Sequence, residues 1–450
     1  MRGDDGAIDR ASVEELEAAY AKKASAKVAM RRALLAHHFG DDEVARAWLA
    51  KVDDAGLAAR LKDELSAPVD EKIVAVLLPK SGRFNALGAE LEAAIRLADP
   101  RGAKLVVIDT KGEEQGARDA VDQAAKRGAI AILGPVGERE AQAAARRAAE
   151  RGLPIALLAP GDGADPASGV FRLATSPADE ATMAADVAAA QGFPSVAVLA
   201  PRDDVGDLMA NAFVAEAKAK QLDVTGDGRY DPTATDLEPD VKAFLGLDPA
   251  SNARLAAWLR RYGRKGWQTF VPDVPFSLVY IPDRYDRATI VAAFLPYLGV
   301  ELRTTEIADV DALRKKYKGR VPQVVQLLGS SGWNHPSLAV RGGNTVEGAM
   351  LVDVFAGDRD AGPSGEFANA FHDATGRDPS SAAAQAYDAA RIVFAARDGA
   401  HTRAEVIRNL AHARLDDGAC GEALVGEDGE ISRVPIVLQV DSGELTLVPF

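Results

Sequence analysis

Residues 73–78, Ile73-Val74-Ala75-Val76-Leu77-Leu78, form an unbroken apolar run that stops at Pro79. A run this short with apolar side chains at every position matches a strand buried on both faces; a strand with one wet face would alternate. The same signature returns at Lys104-Leu105-Val106-Val107-Ile108-Asp109, at Ala129-Ile130-Ala131-Ile132-Leu133 and at Pro154-Ile155-Ala156-Leu157-Leu158. Helical spacing fills the gaps, over about 84–98, 114–126 and 138–150. Strands that alternate with helices at this spacing predict a parallel sheet with right-handed crossovers.

A second set follows Phe171-Arg172-Leu173. Its expected strands lie at Val196–Leu199, Leu222–Val224, Leu278–Ile281, Val324–Leu328 and Ala349–Asp353, with helices over about 177–191, 208–220 and 284–298. The charged, Trp-containing stretch between Phe244 and Pro275 has helical spacing through Leu255, Trp258 and Leu259 and reads as an insertion. Helices over about 365–375 and 380–396 and a hairpin across Asp441-Ser442-Gly443 close the chain. Two doubly wound sheets in series suggest two similar lobes that face one cleft and close on a ligand.

Residues 12–66 read as helices throughout. Ser12 opens a capping-box pattern with Glu15, and Ala29 to Val52 looks like one helix-turn-helix unit of the tetratricopeptide kind. One such unit cannot bury its apolar face alone, so it is expected to pack on the next domain or to belong to a longer array. Ser66-Ala67-Pro68 reads as the linker.

A length of 450 residues implies two or three domains, and 47% hydrophobic with 27% charged residues is the balance of a globular protein. The net charge of −14 argues against nucleic acid as a main partner. Arg31, Arg32, Arg146 and Arg147 read as a solvated helix face. The single cysteine, Cys420, excludes an internal disulfide and a Cys-based metal cluster. No apolar run reaches the ~18–20 residues that span a bilayer. The start, Met1-Arg2-Gly3-Asp4-Asp5, carries no apolar signal core, which leaves a cytoplasmic protein or a chain trimmed of its export signal.

Several stretches resemble a family. Residues 73–82 followed by Gly88, Ala131-Ile132-Leu133-Gly134-Pro135, and Val170-Phe171-Arg172-Leu173-Ala174 are similar to the first strand, third strand and first interlobe crossover of type I periplasmic binding proteins of the Leu/Ile/Val-binding kind. The resemblance runs from about Lys72 to the C-terminus. A finer likeness is to the penicillin-binding-protein activator branch, envelope lipoproteins thought to regulate cell-wall synthases. It rests on Tyr230-Asp231-Pro232-Thr233-Ala234-Thr235-Asp236, Ile281-Pro282-Asp283, Leu327–Asn334, Val346-Glu347-Gly348-Ala349 and Ala384–Ala390, together with the helical segment ahead.

The resemblance implies an α/β fold of two Rossmann-like lobes behind a small all-α, TPR-like segment. That segment with its linker covers 1–70 and the binding module 71–450. Lobe 1 is expected at about 71–175 and 349–425, and lobe 2 at about 176–348 and 426–450. It further implies a periplasmic or envelope location, a non-catalytic binding or scaffold role with a peptidoglycan synthase as partner, or alternatively a receptor that delivers an amino acid or other small polar ligand to an ABC transporter.

In amino-acid receptors of this family, hydroxyls and backbone amides on two first-lobe loops hold the ligand. The matching loops here, Pro135-Val136-Gly137-Glu138 and Ala159-Pro160-Gly161-Asp162, contain no hydroxyl residue. The amides near Val136 and Gly137 suit an anion at a helix N-terminus, but Glu138 competes in that first turn or simply complements the helix dipole. Ser81, Arg83 and Phe84 lie on the first strand-to-helix loop. Arg83 reads either as a bidentate partner for a carboxylate or phosphate or as a surface arginine. Asp203 and Asp204 open a helix, where capping accounts for them without a ligand. Asp283 and Tyr285 follow a strand's carboxyl end, where ligands of open α/β sheets bind. Trp333 is either an aromatic wall or a seal at the lobe's base.

Enzyme and cofactor patterns are missing from the sequence. No G-x-G-x-x-G, Walker A, H-E-x-x-H or G-x-S-x-G occurs, and Trp333 stands where Gly329-Ser330-Ser331-Gly332 would need glycine to make a nucleophile elbow. His37 and His38 point to different helix faces, and Gly426-Glu427-Asp428-Gly429-Glu430 is too short for a calcium loop and reads as a turn. No catalytic residue, metal or cofactor is expected.

Overall fold

Two-sided burial of the apolar runs produces two separate sheets. The computed structural model describes residues 8, 11–38, 41–65, 69–98, 102–159, 163–305, 310–317, 319 and 321–449. Its chain divides into two units, residues 1–176 with 361–434 and residues 177–360 with 435–450. The linker expected at Ser66-Ala67-Pro68 lies outside the described residues.

The first unit opens with helices α1 (Val13–Lys22), α2 (Ala26–His38), α3 (Asp42–Leu49) and α4 (Ala55–Leu65). Ser12 and Glu15 make the reciprocal capping box at the start of α1. Ala29, Ala33, Leu34, Trp48, Val52 and Leu61 bury a small core among these helices. Arg31 is itself buried: its guanidinium donates to the Ser168 hydroxyl and to the Ala149 carbonyl, tying α2 to the rest of the unit. The expected solvated row of arginines is therefore corrected. Arg146 is exposed, whereas Arg147 forms ion pairs with Asp122 at 2.8 Å and Glu150 at 2.6 Å.

Strand β1 (Asp70–Leu78) leads to α5 (Asn85–Leu97), β2 (Lys104–Asp109), α6 (Glu114–Lys126), β3 (Ala129–Leu133), α7 (Glu138–Arg151), β4 (Ile155–Leu157) and β5 (Val170–Arg172). All five strands are parallel, in the order β2-β1-β3-β4-β5. The helices meet the sheet through small residues, such as Ala117, Ala120 and Ala124 of α6 and Ala141, Ala144 and Ala148 of α7, all buried. Gly88 shows why size matters, since a Cβ there would lie 2.0 Å from the Pro79 carbonyl oxygen.

The second unit contains α8 (Pro177–Ala190), β6 (Ser195–Pro201), α9 (Asp204–Ala219), β7 (Asp223–Tyr230), α10 (Glu238–Phe244), α11 (Ala253–Tyr262), β8 (Leu278–Ile281), α12 (Tyr285–Tyr297), β9 (Glu301–Leu302), α13 (Val310–Lys316), β10 (Val324–Gly329), α14 (Ser337–Gly342) and β11 (Met350–Asp353). Gly206 meets the end of β6 as Gly88 meets β1, with a would-be Cβ 2.1 Å from the Pro201 carbonyl oxygen. The expected insertion folds onto this unit's core through Leu255 and Phe270, with Trp258 and Trp267 packed alongside.

The chain then re-enters the first unit with α15 (Pro363–Thr375), α16 (Ser381–Arg397), α17 (Arg403–Leu410) and an antiparallel sheet of β12 (Arg414–Gly418), β13 (Gly421–Val425) and β14 (Ile431–Arg433). It ends in the second unit with the hairpin β15 (Ile436–Asp441) and β16 (Glu444–Val448). The large sheet there runs β16-β15-β11-β10-β8-β6-β7.

Two expected boundaries move. Residues 349–360 stay with the second unit because β11 pairs in parallel with β10, Leu328 beside Met350. Residues 426–434 stay with the first because β14 pairs with β13 and because Arg433 reaches Asp388 of α16. Asp388 is fully buried and accepts from Arg433 at 2.9 Å and from the backbone N–H groups of Ala419 and Cys420 at 2.7 and 2.9 Å. One carboxylate thus fixes the small antiparallel sheet to the long helix. Removing one partner of a buried pair strands the other charge, so Asp388→Ala is expected to lower stability by about 3–5 kcal/mol, with Asp388→Asn costing less. Denaturant melts of the purified variants measure this; a loss below about 1 kcal/mol for the alanine variant would refute the clamp.

Candidate functional site

In each doubly wound sheet the crevice for a ligand lies where successive crossovers leave a strand pair in opposite directions. In the first unit that point falls between β1 and β3, which puts the loops 79–84 and 134–137 side by side. In the second it falls between β6 and β8, at the loops 202–204 and 282–285.

On the first unit, Ser81, Arg83 and Phe84 are all exposed. Ser81 donates its hydroxyl to Asp109 at 2.6 Å, and the N–H groups of Lys80 and Lys111 each donate to the same carboxylate at 2.8 Å. Partial burial works against this charge, but the hydrogen bonds from Ser81, Lys111 and Lys80 outweigh it and hold the Asp109 pKa below its ordinary value. Arg83 lies 4.4 Å from the centre of the Phe84 ring, a cation–π contact that keeps the guanidinium in place without neutralising it.

Val136 and Gly137 are half-buried ahead of α7, as the anion-binding reading requires. Glu140 lies against that helix start. Its buried carboxyl group turns back over the helix start, so that a Cβ on Gly137 would lie 2.4 Å from Oε2, while Oε1 has no hydrogen-bond partner among the described residues. Burial raises the Glu140 pKa; the Thr110 hydroxyl beside it lowers it and the Asp109 charge raises it further. Gly161 lies outside the described residues.

On the second unit, Asp203 is a helix cap, accepting from the Gly206 N–H at 2.8 Å. Asp283 accepts from the Tyr230 hydroxyl at 2.5 Å and from the Arg284 N–H at 2.7 Å. Burial raises the Asp283 pKa, the Tyr230 and Arg284 hydrogen bonds pull the other way, and the Asp203 charge raises it again. Tyr285 stacks flat on His335, with ring centres 3.9 Å apart and planes at 9°. Burial and the Arg284 charge lower the His335 pKa, with Asp286 opposing. Trp333 is fully buried, donates its indole N–H to the Ile281 carbonyl at 3.1 Å and packs on Gly329. It seals the lobe and forms no wall for a ligand.

Sequence reasoning missed a buried polar cluster. Glu180, in the first turn of α8, accepts from the N–H and, at 3.1 Å, from the hydroxyl of Ser331. The Tyr280 hydroxyl is buried in its field with no hydrogen-bond partner among the described residues. Asp353 lies nearby and accepts from Asn334 at 2.8 Å. In the sequence, Glu180 looks like an ordinary acidic residue at a helix start; only the fold brings it to Ser331. Among the described residues no group of three or more His, Cys, Asp or Glu is placed to hold a metal ion.

Two doubly wound units formed by one chain that crosses between them three times define a two-lobed α/β binding protein. The sequence profile described as periplasmic binding protein matches residues 73–253 and 315–444, and the chain belongs to that family. Among solved structures it is similar to a putative branched-chain amino acid ABC transporter protein from Rhodospirillum rubrum, at 20% identity and a TM-score of 0.64 over 84% of this chain and 99% of that one. It is also similar to the leucine-binding protein LivK from Thermotoga maritima, at 20% identity and a TM-score of 0.55 over 84% and 97%. A third, at 16% identity and a TM-score of 0.60 over 85% and 97%, is a solute-binding protein of an ABC transporter from Rhodopseudomonas palustris BisB5, in complex with 3,4-dihydroxybenzoic acid. Comparison with curated proteins returns no match.

Glu180 gives the site a pH signature. Burial raises its pKa to about 7, Ser331's N–H opposes this, and the Asp353 charge adds to it. The folded state therefore binds a proton that the unfolded chain releases above its ordinary value of 4.5, and stability from this group falls as pH rises from about 4.5 to about 7. Glu180→Gln is expected to gain on the parent by roughly 3 kcal/mol across that window. Denaturant midpoints at pH 4.5 and 7.5 test this; parallel pH profiles for the two proteins would contradict it.

Proposed function

We propose that the chain is a non-catalytic, extracytoplasmic solute-binding protein for a small polar ligand that carries an amine or hydroxyl donor. One observation carries this reading: each switch point holds an acceptor fixed by its own partner, Asp109 by Ser81 and Asp283 by Tyr230. A pre-positioned carboxylate favours a donor on the ligand. Family membership and neighbours that are binding proteins support a role in capture rather than turnover. Glu140 over the start of α7 argues against a ligand that must place a free carboxylate there. In this reading the ligand-contact candidates are Arg83 and Phe84 at the first unit's switch point and Asp283 and Tyr285 at the second unit's, and Ser81 positions Asp109.

A second reading is regulation of cell-wall synthases through protein contacts. It is favoured by the helical segment α1–α4, held to the first unit through Arg31, which has no counterpart in the matched profile.

A thermal-shift screen with polyamines, amino acids, hydroxylated aromatic acids and muropeptides separates the two. A ligand at ~100 times its dissociation constant adds about 2.7 kcal/mol. The receptor reading predicts a shift from one amine- or hydroxyl-bearing class, diminished in Asp283→Asn and in Arg83→Ala. Silence across the whole panel would overturn it and favour the regulatory reading.

A further inference from the structure

We propose that the turn after α11 docks the protein onto an anionic phospholipid bilayer. The chain's net charge is −14, yet residues 253–272 carry Arg254, Arg260, Arg261, Arg264 and Lys265 and no acidic residue. This stretch begins where the first matched segment of the family profile ends, at residue 253. Arg254 is used internally, paired with Asp273 at 2.9 Å and stacked on Phe270. Residues 260–265 are all exposed, and among the described residues none of the four remaining cations has a carboxylate within 4.0 Å.

The fold presents this turn rigidly. Leu255 is fully buried and Trp258 donates its indole N–H to the Gly266 carbonyl at 3.0 Å, closing the turn from beneath. At its tip Gly263 has φ +58°, and a Cβ there would meet nothing within 4 Å, so the turn projects into open space. Tyr262 is 44% exposed, its ring 4.4 Å from that of Trp258 and 5.3 Å from the Arg261 guanidinium.

Complementing the helix dipole accounts for Arg260 and Arg261 at the end of α11. It does not account for Arg264 and Lys265, which lie beyond the helix. An exposed tyrosine in a run of exposed cations, with Arg261 against its ring, suits a headgroup layer, where aromatic rings settle at the interface and each Lys or Arg is drawn to anionic lipid. A single turn is too small for the roughly 800 Å² per partner of a specific protein interface, whereas a lipid surface requires only charge and an amphipathic ring. Among the described residues no helix is long and apolar enough to cross a membrane, so the contact is peripheral.

The test is co-sedimentation of the whole chain with vesicles of phosphatidylglycerol and phosphatidylcholine in equal parts, against vesicles of phosphatidylcholine alone. The proposal predicts binding only to the anionic vesicles, weakening as salt rises from about 50 to 300 mM. The double variant Arg264→Glu/Lys265→Glu is expected to bind at least about tenfold less with an unchanged thermal melt, since both residues lie beyond α11 and neither is paired with a carboxylate among the described residues. No binding at low salt, equal binding by parent and variant, or preference for soluble polyglutamate over the vesicles would each overturn it.

Discussion

Parallel strands with both faces buried must be covered by helices on both sides, and the helices must come close. In this chain the cover is made largely of alanine, with Gly88 of α5 and Gly206 of α9 where each helix meets the end of the strand before it. Close cover leaves little room for function inside the layers. Chemistry is displaced to the carboxyl ends of the strands, where loops are free to differ and helix starts supply oriented N–H groups. The polar groups discussed above, from Ser81 and Asp109 to Asp283 and Tyr285, lie at those ends because the sheets allow them nowhere else.

What those ends offer includes several carboxyl groups with opposed electrostatic settings. Asp109 is kept charged by three donors, while burial pushes Glu140, Asp283 and Glu180 towards the neutral form. Glu140 brings a buried carboxyl group against the start of α7, its Oε2 2.4 Å from where a Cβ on Gly137 would lie.

The architecture was legible because strand and helix periods differ and because turns are marked by Gly and Pro. The run 73–78 and the helix 114–126 are found where the spacing places them. The small sheet β12–β14 was not legible. Its strands are short, exposed in part without strict alternation and held by a buried ion pair between Asp388 and Arg433, 45 residues apart, which no local pattern announces. The same is true of the site. Asp283 and Tyr285 could be placed by strand-end logic, whereas Trp333 could not be assigned without knowing that its indole is satisfied by Ile281. Arg31 misled for a related reason: an arginine among alanines resembles a solvated face until its partners at 149 and 168 are known.

The account turns on capture of a small molecule by a folded, non-catalytic chain. Native mass spectrometry after incubation with a small-molecule extract of cell envelopes tests that most directly. The account predicts a one-to-one adduct of a small amine- or hydroxyl-bearing compound, released unchanged on denaturation. A bare chain in the presence of the whole extract, or a compound released chemically altered, would contradict it.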